Sequence, residues 1–242
     1  PEHNADFATL DPDQVAAMTG RLPRWFARPD DTLERRAANL ADGAPRIAAV
    51  ADEARDAEII AEDLGWTPDY VRPHLESLGI AGFRIPHWDS DGQGNPILGR
   101  YFPECSFATY STHDHDPINM LWNACQRDSG SPGASHALTL LAKFAGVPLP
   151  VGGHWPRFTD GIKWRLFKAL FDSRSRYAQL SVAELFGIEE RINTPGSGGD
   201  ANWRFRLPWS LTEIRAHPAL GSVGYKLAAI IGATRRGMQG QP

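Results

Sequence analysis

The sequence predicts an α/β protein with parallel strands. Three observations carry that expectation. Short apolar runs, "AEIIAEDLG" (57–65), "GIAGFRIPHW" (79–88), "SFATYST" (106–112) and "YAQLSVAELFG" (177–187), alternate with helical patterns, the spacing of βαβ units. Acids stand where the first and third runs end: Glu62 and Asp63 after one, Asp114 and Asp116 after the other. The 242 residues are 42% hydrophobic and 10% aromatic, which supplies a packed core and excludes a disordered chain.

The elements follow in order. Residues 1–56 read as a polar, helical segment preceding the first strand. Within it, "DTLERRAANLADGAPRIAAVADEARD" is rich in Ala, Arg and Glu, and Gly43-Ala44-Pro45 is expected to break the run. Residues 57–242 form the main body. "TPDYVRPHLESLG" (67–79) reads as a helix with Thr67 as cap, Pro68 in the first turn and Gly79 at the end. Pro73 is misplaced in a helix that starts so early and is expected to delay or kink it. After the second strand a loop rich in Gly, Asp and Pro runs from Asp89 to Pro103. Helices are expected at 117–128, 135–146 and 160–174. In the last of these, Ile162, Leu166 and Leu170 recur every four residues, with Trp164, Phe167 and Phe171 widening the apolar face. "VGYKLAAIIGATRRG" (223–237) closes the chain as a helix with basic residues in its last turn.

Only about four strands are present. In a β/α barrel the carboxyl edge of the strands holds the active site, but closure takes eight strands. The pattern therefore fits an open α/β sheet or half of a barrel. Net charge is −4 and no Lys/Arg block occurs, so no nucleic-acid partner is expected. No apolar run reaches 18 residues, so no membrane partner is expected either; "HALTLLAKFAGVPLP" is too short and carries Lys143. No signal peptide opens the chain. Cys105 and Cys125 make neither a disulfide framework nor a four-ligand zinc set and read as reduced thiols of a cytoplasmic protein.

Three segments carry chemistry. Glu62, at a strand end, suits a carboxylic acid that protonates the leaving oxygen in glycosyl transfer; a solvated Glu-Asp pair is the plain alternative. "STHDHDP" (111–117) reads three ways: a divalent-metal site, a sugar-hydroxyl site, or a polar turn before Pro117. If it continues the strand, His113 and His115 face one way, Asp114 and Asp116 the other. "RINTPGSGGDANWRFRL" (191–207) is Gly-rich without a following Lys, so it is no phosphate loop. It reads as a mobile loop or a substrate cover, with Asn193 and Asn202 for hydroxyls and Trp203 or Phe205 for a sugar face. Of eight tryptophans, Trp164 is expected in the core, and Trp66 and Trp88, which follow strand ends, near a pocket.

Taken together, "IIAEDLG" with "TPDYVRPHLESLGIAGFRI", then "STHDHDPINMLW", then "RINTPGSGGDANWRFRL" resemble the 4-α-glucanotransferases (amylomaltases, or disproportionating enzymes) of glycoside hydrolase family 77, over roughly residues 55–210. The resemblance implies a (β/α)8 TIM barrel with helical insertions, of which this chain is the C-terminal half. It implies transfer of α-1,4-glucan segments between maltooligosaccharides with retention, and no cofactor. It matches Glu62 to the general acid/base, Asp114 to the carboxylate that stabilises the transition state, and His113 to a donor-sugar contact. Asp63, Trp66, Asn193, Asn202 and Trp203 become further sugar-binding candidates and no metal is implied. His115 stands where asparagine is commoner. The family's nucleophile, an Asp in an Arg-x-Asp-His motif, has no match: none of Asp6, Asp11, Asp13, Asp30, Asp31, Asp42, Asp52 and Asp56 precedes a His. The expected partners are thus the glucan and the N-terminal half of the barrel. A non-catalytic glucan-binding half and a metal-dependent hydrolase using His113, Asp114 and His115 are the rival expectations.

Overall fold

The computed structural model describes residues 29–198, 202–234 and 236. Residues 1–28 of the expected helical segment, 199–201 of the Gly-rich loop and most of the basic C-terminal end lie outside them. The chain divides into two compact units between Gly82 and Phe83.

The first unit opens with α1 (Leu33–Ala54), capped by Thr32, whose hydroxyl accepts from the Arg35 amide at 3.2 Å. The expected break at Gly43-Ala44-Pro45 does not occur. Pro45 sits inside a continuous helix that buries no residue, and Ala41, the residue whose carbonyl its missing amide would have served, is exposed, so the lost bond costs little. Asp30 ties the start of α1 down, accepting from Asn39 and the Tyr70 hydroxyl at 2.9 Å each.

A small βαβ unit follows: β1 (Ile60–Ala61), α2 (Val71–Ser77) and β2 (Ala81–Arg84). β1 and β2 run parallel, Ile60 opposite Ala81 and Ala61 opposite Gly82. The helix expected from Thr67 starts four residues later. A start at 67 would have required Pro73 to donate an amide it lacks. From Val71, Pro73 falls in the first turn, where amides need no helical partner. Gly79 ends the helix at φ 73°, as expected.

The last two residues of β2 belong to the second unit, where the Thr109 amide donates to the Arg84 carbonyl at 3.1 Å. Its other elements are β3 (Ser106–Ala108), α3 (Ile118–Arg127), α4 (Pro132–Ala145), α5 (Asp160–Phe171), β4 (Tyr177–Ala178), α6 (Val182–Phe186), α7 (Leu211–Ala216) and α8 (Pro218–Ala233). β3 and β4 are parallel, Phe107 opposite Tyr177 and Ala108 opposite Ala178. Parallel strands joined through helices make this an α/β fold. The core gathers Phe102, Tyr110, Trp122, Leu138, Leu141 and Leu166, all essentially without solvent exposure. Two of its buried polar tips are paired: the Tyr110 hydroxyl donates to the Leu166 carbonyl at 2.6 Å and the Trp122 indole to the Pro156 carbonyl at 2.9 Å. Trp164 packs at the edge of this core with Lys163 and Lys226 over its ring.

Three elements differ from expectation. "SFATYST" is a strand only to Ala108. "YAQLSVAELFG" is a strand for two residues, then a helix, because Ser181 and Glu184 form a capping box that outweighs the apolar run. α7 was not anticipated; it too begins with a capping box, Ser210 with Glu213. No helix among the described residues is long and apolar enough to cross a membrane.

Candidate active site

In the first unit the two acids after β1 part company. Glu62 is exposed and Asp63 is buried. The Asp63 carboxylate meets the Nε of Arg72 at 2.7 Å and its side chain is only 3% exposed. A residue so enclosed and paired holds structure; it is poorly placed to grip sugar. Gly65, at φ 83°, then turns the chain, and Trp66 stands 82% exposed.

In the second unit "THDHDP" is a turn, not the continuation of β3, so the expected alternation of faces does not apply. The Thr112 hydroxyl accepts from the Asp114 amide at 3.2 Å and bonds the His115 Nδ1 at 2.7 Å, which folds the segment on itself. Asp114 and His113 therefore lie together, Nε2 to Oδ1 at 3.4 Å. Arg191, Asn193 and Trp203, distant in sequence, come to them. The Asn193 amide side chain donates to the Asp114 Oδ1, its backbone amide donates to the His113 carbonyl at 3.1 Å, and Arg191 donates to the Asp114 carbonyl. Arg191 also faces Asp116 at 3.3 Å. Trp203 lays its ring against His113, centroids 4.9 Å apart and 36° between planes. Its backbone is at φ 63°, a left-handed conformation uncommon for a bulky residue, held by its amide donating to the Ile192 carbonyl at 2.8 Å. Asn202 is turned the other way: its Oδ1 accepts from the Thr194 amide at 3.0 Å and its Nδ2 donates to the Ser197 carbonyl at 2.9 Å, which staples its own loop. So the structure joins Asp114, His113, Asn193 and Trp203, while Asn202 shapes the loop.

Sequence reasoning missed Glu184. Fully buried, its Oε1 accepts from the Ser111 hydroxyl at 2.7 Å and the Ile118 amide at 3.2 Å, the residues on either side of "THDHDP", while Oε2 accepts from the Ser181 amide at 2.9 Å. One carboxylate thus clasps the base of the turn that carries Asp114. Burial raises its pKa, and the hydrogen bonds oppose that shift. The Ser-x-x-Glu box was the available signal, but it was hidden in a segment read as strand.

Beside the turn is a cavity of about 370 Å³ lined by His87, Trp88, His115, Asp116, His136 and Arg191 with smaller residues. The His87 ring is partly exposed, but its Nδ1 is shut from solvent without a partner. Burial, and then the neighbouring His115, lower its pKa to about 3. Between pH 6.5 and about 3 the unfolded chain therefore binds a proton that the folded one does not. The stability linked to His87 is complete above pH 6.5 and is lost as pH falls toward 3. The slope is at most about 1.4 kcal/mol per pH unit, reduced by the ring's open edge. His87→Gln is expected to flatten the fall of the thermal midpoint between pH 6.5 and 4; parallel curves for variant and parent would contradict this. Among the described residues no three His, Cys, Asp or Glu stand together to hold a metal ion.

The sequence model of the family described as 4-alpha-glucanotransferase, glycoside hydrolase family 77, matches residues 22–212. A 4-alpha-glucanotransferase of Chlamydia muridarum is 27% identical over 183 residues, 68% of this chain and 31% of its own length. That of Chlamydia caviae is 30% identical over 181 residues, 67% of this chain and 30% of its own length. The chain thus spans about a third of these curated relatives. The fold is similar to amylomaltase from Corynebacterium glutamicum, TM-score 0.59 at 21% identity, covering 78% of this chain and 31% of that one. It is also similar to amylomaltase from Streptococcus agalactiae in complex with acarbose, TM-score 0.56 at 18% identity, covering 80% and 35%. A family match over this much of the sequence settles descent: the chain belongs to glycoside hydrolase family 77, the 4-alpha-glucanotransferases.

Proposed function

We propose that this chain is the acid/base-bearing, C-terminal half of a (β/α)8 barrel that transfers α-1,4-glucan segments between maltooligosaccharides with retention. The observation that carries the reading is the fastening of Asp114 by Asn193, with His113 against Trp203: a carboxylate, a histidine and an exposed aromatic face on one rim. In the proposed reaction an Asp from the other half of the barrel attacks the anomeric carbon. Glu62 protonates the glycosidic oxygen as that bond breaks, leaving a glycosyl-enzyme ester. The Glu62 carboxylate then takes the proton of an acceptor 4-hydroxyl, which attacks the same carbon and releases the Asp. Asp114 supplies negative charge to the oxocarbenium-like transition state. Trp66 and Trp203 offer aromatic surface to the glucan. The free thiols of Cys105 and Cys125 suit a cytoplasmic enzyme, and the chemistry calls for no cofactor.

The test is substitution at the rim in the complete enzyme. Asp114→Asn is expected to lower kcat for maltotriose disproportionation by about 10²–10³-fold, because the lost charge is felt mainly in the transition state. His113→Ala is expected to cost less and to act partly on KM. A chelator should leave both unchanged. Near-parental turnover in Asp114→Asn would remove it from the chemistry, and loss of activity to a chelator with recovery on adding zinc would favour the metal-dependent hydrolase.

A further inference from the structure

We infer that Arg72 and Gly82 are positioning residues for Glu62, acting through Asp63; this rests on the acid/base reading of Glu62. Glu62 is exposed, so the placement of its carboxyl depends chiefly on the backbone on either side. On the amino side that backbone is β1, registered against β2 with Ala61 opposite Gly82. On the carboxyl side it is the Asp63 peptide, held three ways. Arg72 Nε meets the Asp63 Oδ2 at 2.7 Å, an Arg72 NH2 donates to the Asp63 carbonyl at 3.4 Å, and the Thr67 hydroxyl donates to the same carbonyl at 3.1 Å.

Gly82 makes room for this. A Cβ there would lie 2.7 Å from the Asp63 Oδ2 and 3.0 Å from its Cγ. Asp63 is a short side chain, 3% exposed and paired with Arg72, so a Cβ at that distance would force it or the strand to shift. The glycine is not required by φ, which is not positive; it is required by the carboxylate above it. One residue of β2 thus sets the seat of Asp63, and Asp63 with Arg72 sets the peptide that follows Glu62. A proton donor works only within hydrogen-bond reach of the leaving oxygen, so a displacement of this peptide falls directly on acid catalysis.

The experiment compares two donors in the full-length enzyme. Maltotriose leaves as a sugar alkoxide and needs a proton. α-Maltosyl fluoride loses fluoride with the bonding electron pair as the enzyme's carboxylate attacks, and needs none. Gly82→Ala and Arg72→Gln are expected to lower kcat/KM for maltotriose by about 10–10²-fold while the fluoride changes by less than about threefold. Arg72→Lys, which keeps the charge but not the two-pronged donor, should fall between parent and Arg72→Gln. Equal losses on both donors, or no loss on either, would overturn the inference. Glu62→Gln runs in parallel. If it lacks the donor dependence, the acid/base reading fails; if it shows the dependence and the other variants do not, only the positioning role fails. Should Gly82→Ala not fold, Thr67→Val tests the same carbonyl and is expected to show the same donor pattern at smaller size.

Discussion

Glu62→Gln, in the complete enzyme, is expected to lower maltotriose disproportionation by about 10²–10⁴-fold, the usual contribution of a general acid/base. Glutamine keeps the shape and the exposure of the side chain but has no proton to give to the leaving oxygen and none to take from the acceptor. Both half-reactions therefore slow. Glucan binding survives, because the change adds no bulk and leaves the buried neighbour Asp63 with its Arg72 partner. The measurement is glucose and longer oligomers released from maltotriose, with glucan affinity measured separately. Turnover near that of the parent would take Glu62 out of the mechanism.

The chain by itself is expected to transfer no glucan. A retaining mechanism needs two carboxylates about 5–5.5 Å apart across the scissile bond. The sequence offers Glu62 but no Asp in the family's Arg-x-Asp-His setting. Asp114, engaged by Asn193 and neighbouring His113, is proposed to stabilise the transition state rather than to attack. A separately supplied segment bearing the proposed nucleophile is expected to restore transfer from maltotriose, assayed with each part alone and with both together. Robust transfer by these 242 residues alone would place the nucleophile within them, among Asp6 to Asp56.

The sequence was informative where the signal is local. Helices at 118–127, 132–145 and 160–171 fall where periodicity and capping put them. Gly79 ends α2 as a glycine at positive φ should. It misled where two local signals compete. In "YAQLSVAELFG" the apolar run suggested a strand, and the Ser181–Glu184 box produced a helix after two strand residues. At Pro45 an expected break vanished because α1 buries no residue, so a lost helical bond costs little there.

What the sequence alone determined is membership and inventory. The motifs around Glu62, His113-Asp114 and Asn193–Trp203 carry the resemblance, and the family match over residues 22–212 agrees with it. What only the tertiary structure decided is how each is used. Asn193 reaches Asp114 across 79 residues, and Glu184 reaches Ser111 across 73. Asp63, next to an exposed Glu62, turned out to be buried against Arg72 under a glycine. The reason is physical. Propensity, capping and turn geometry are written within a few residues of chain, whereas the partner of a buried carboxylate is fixed by which elements pack together, and packing brings together residues that no spacing in the sequence connects.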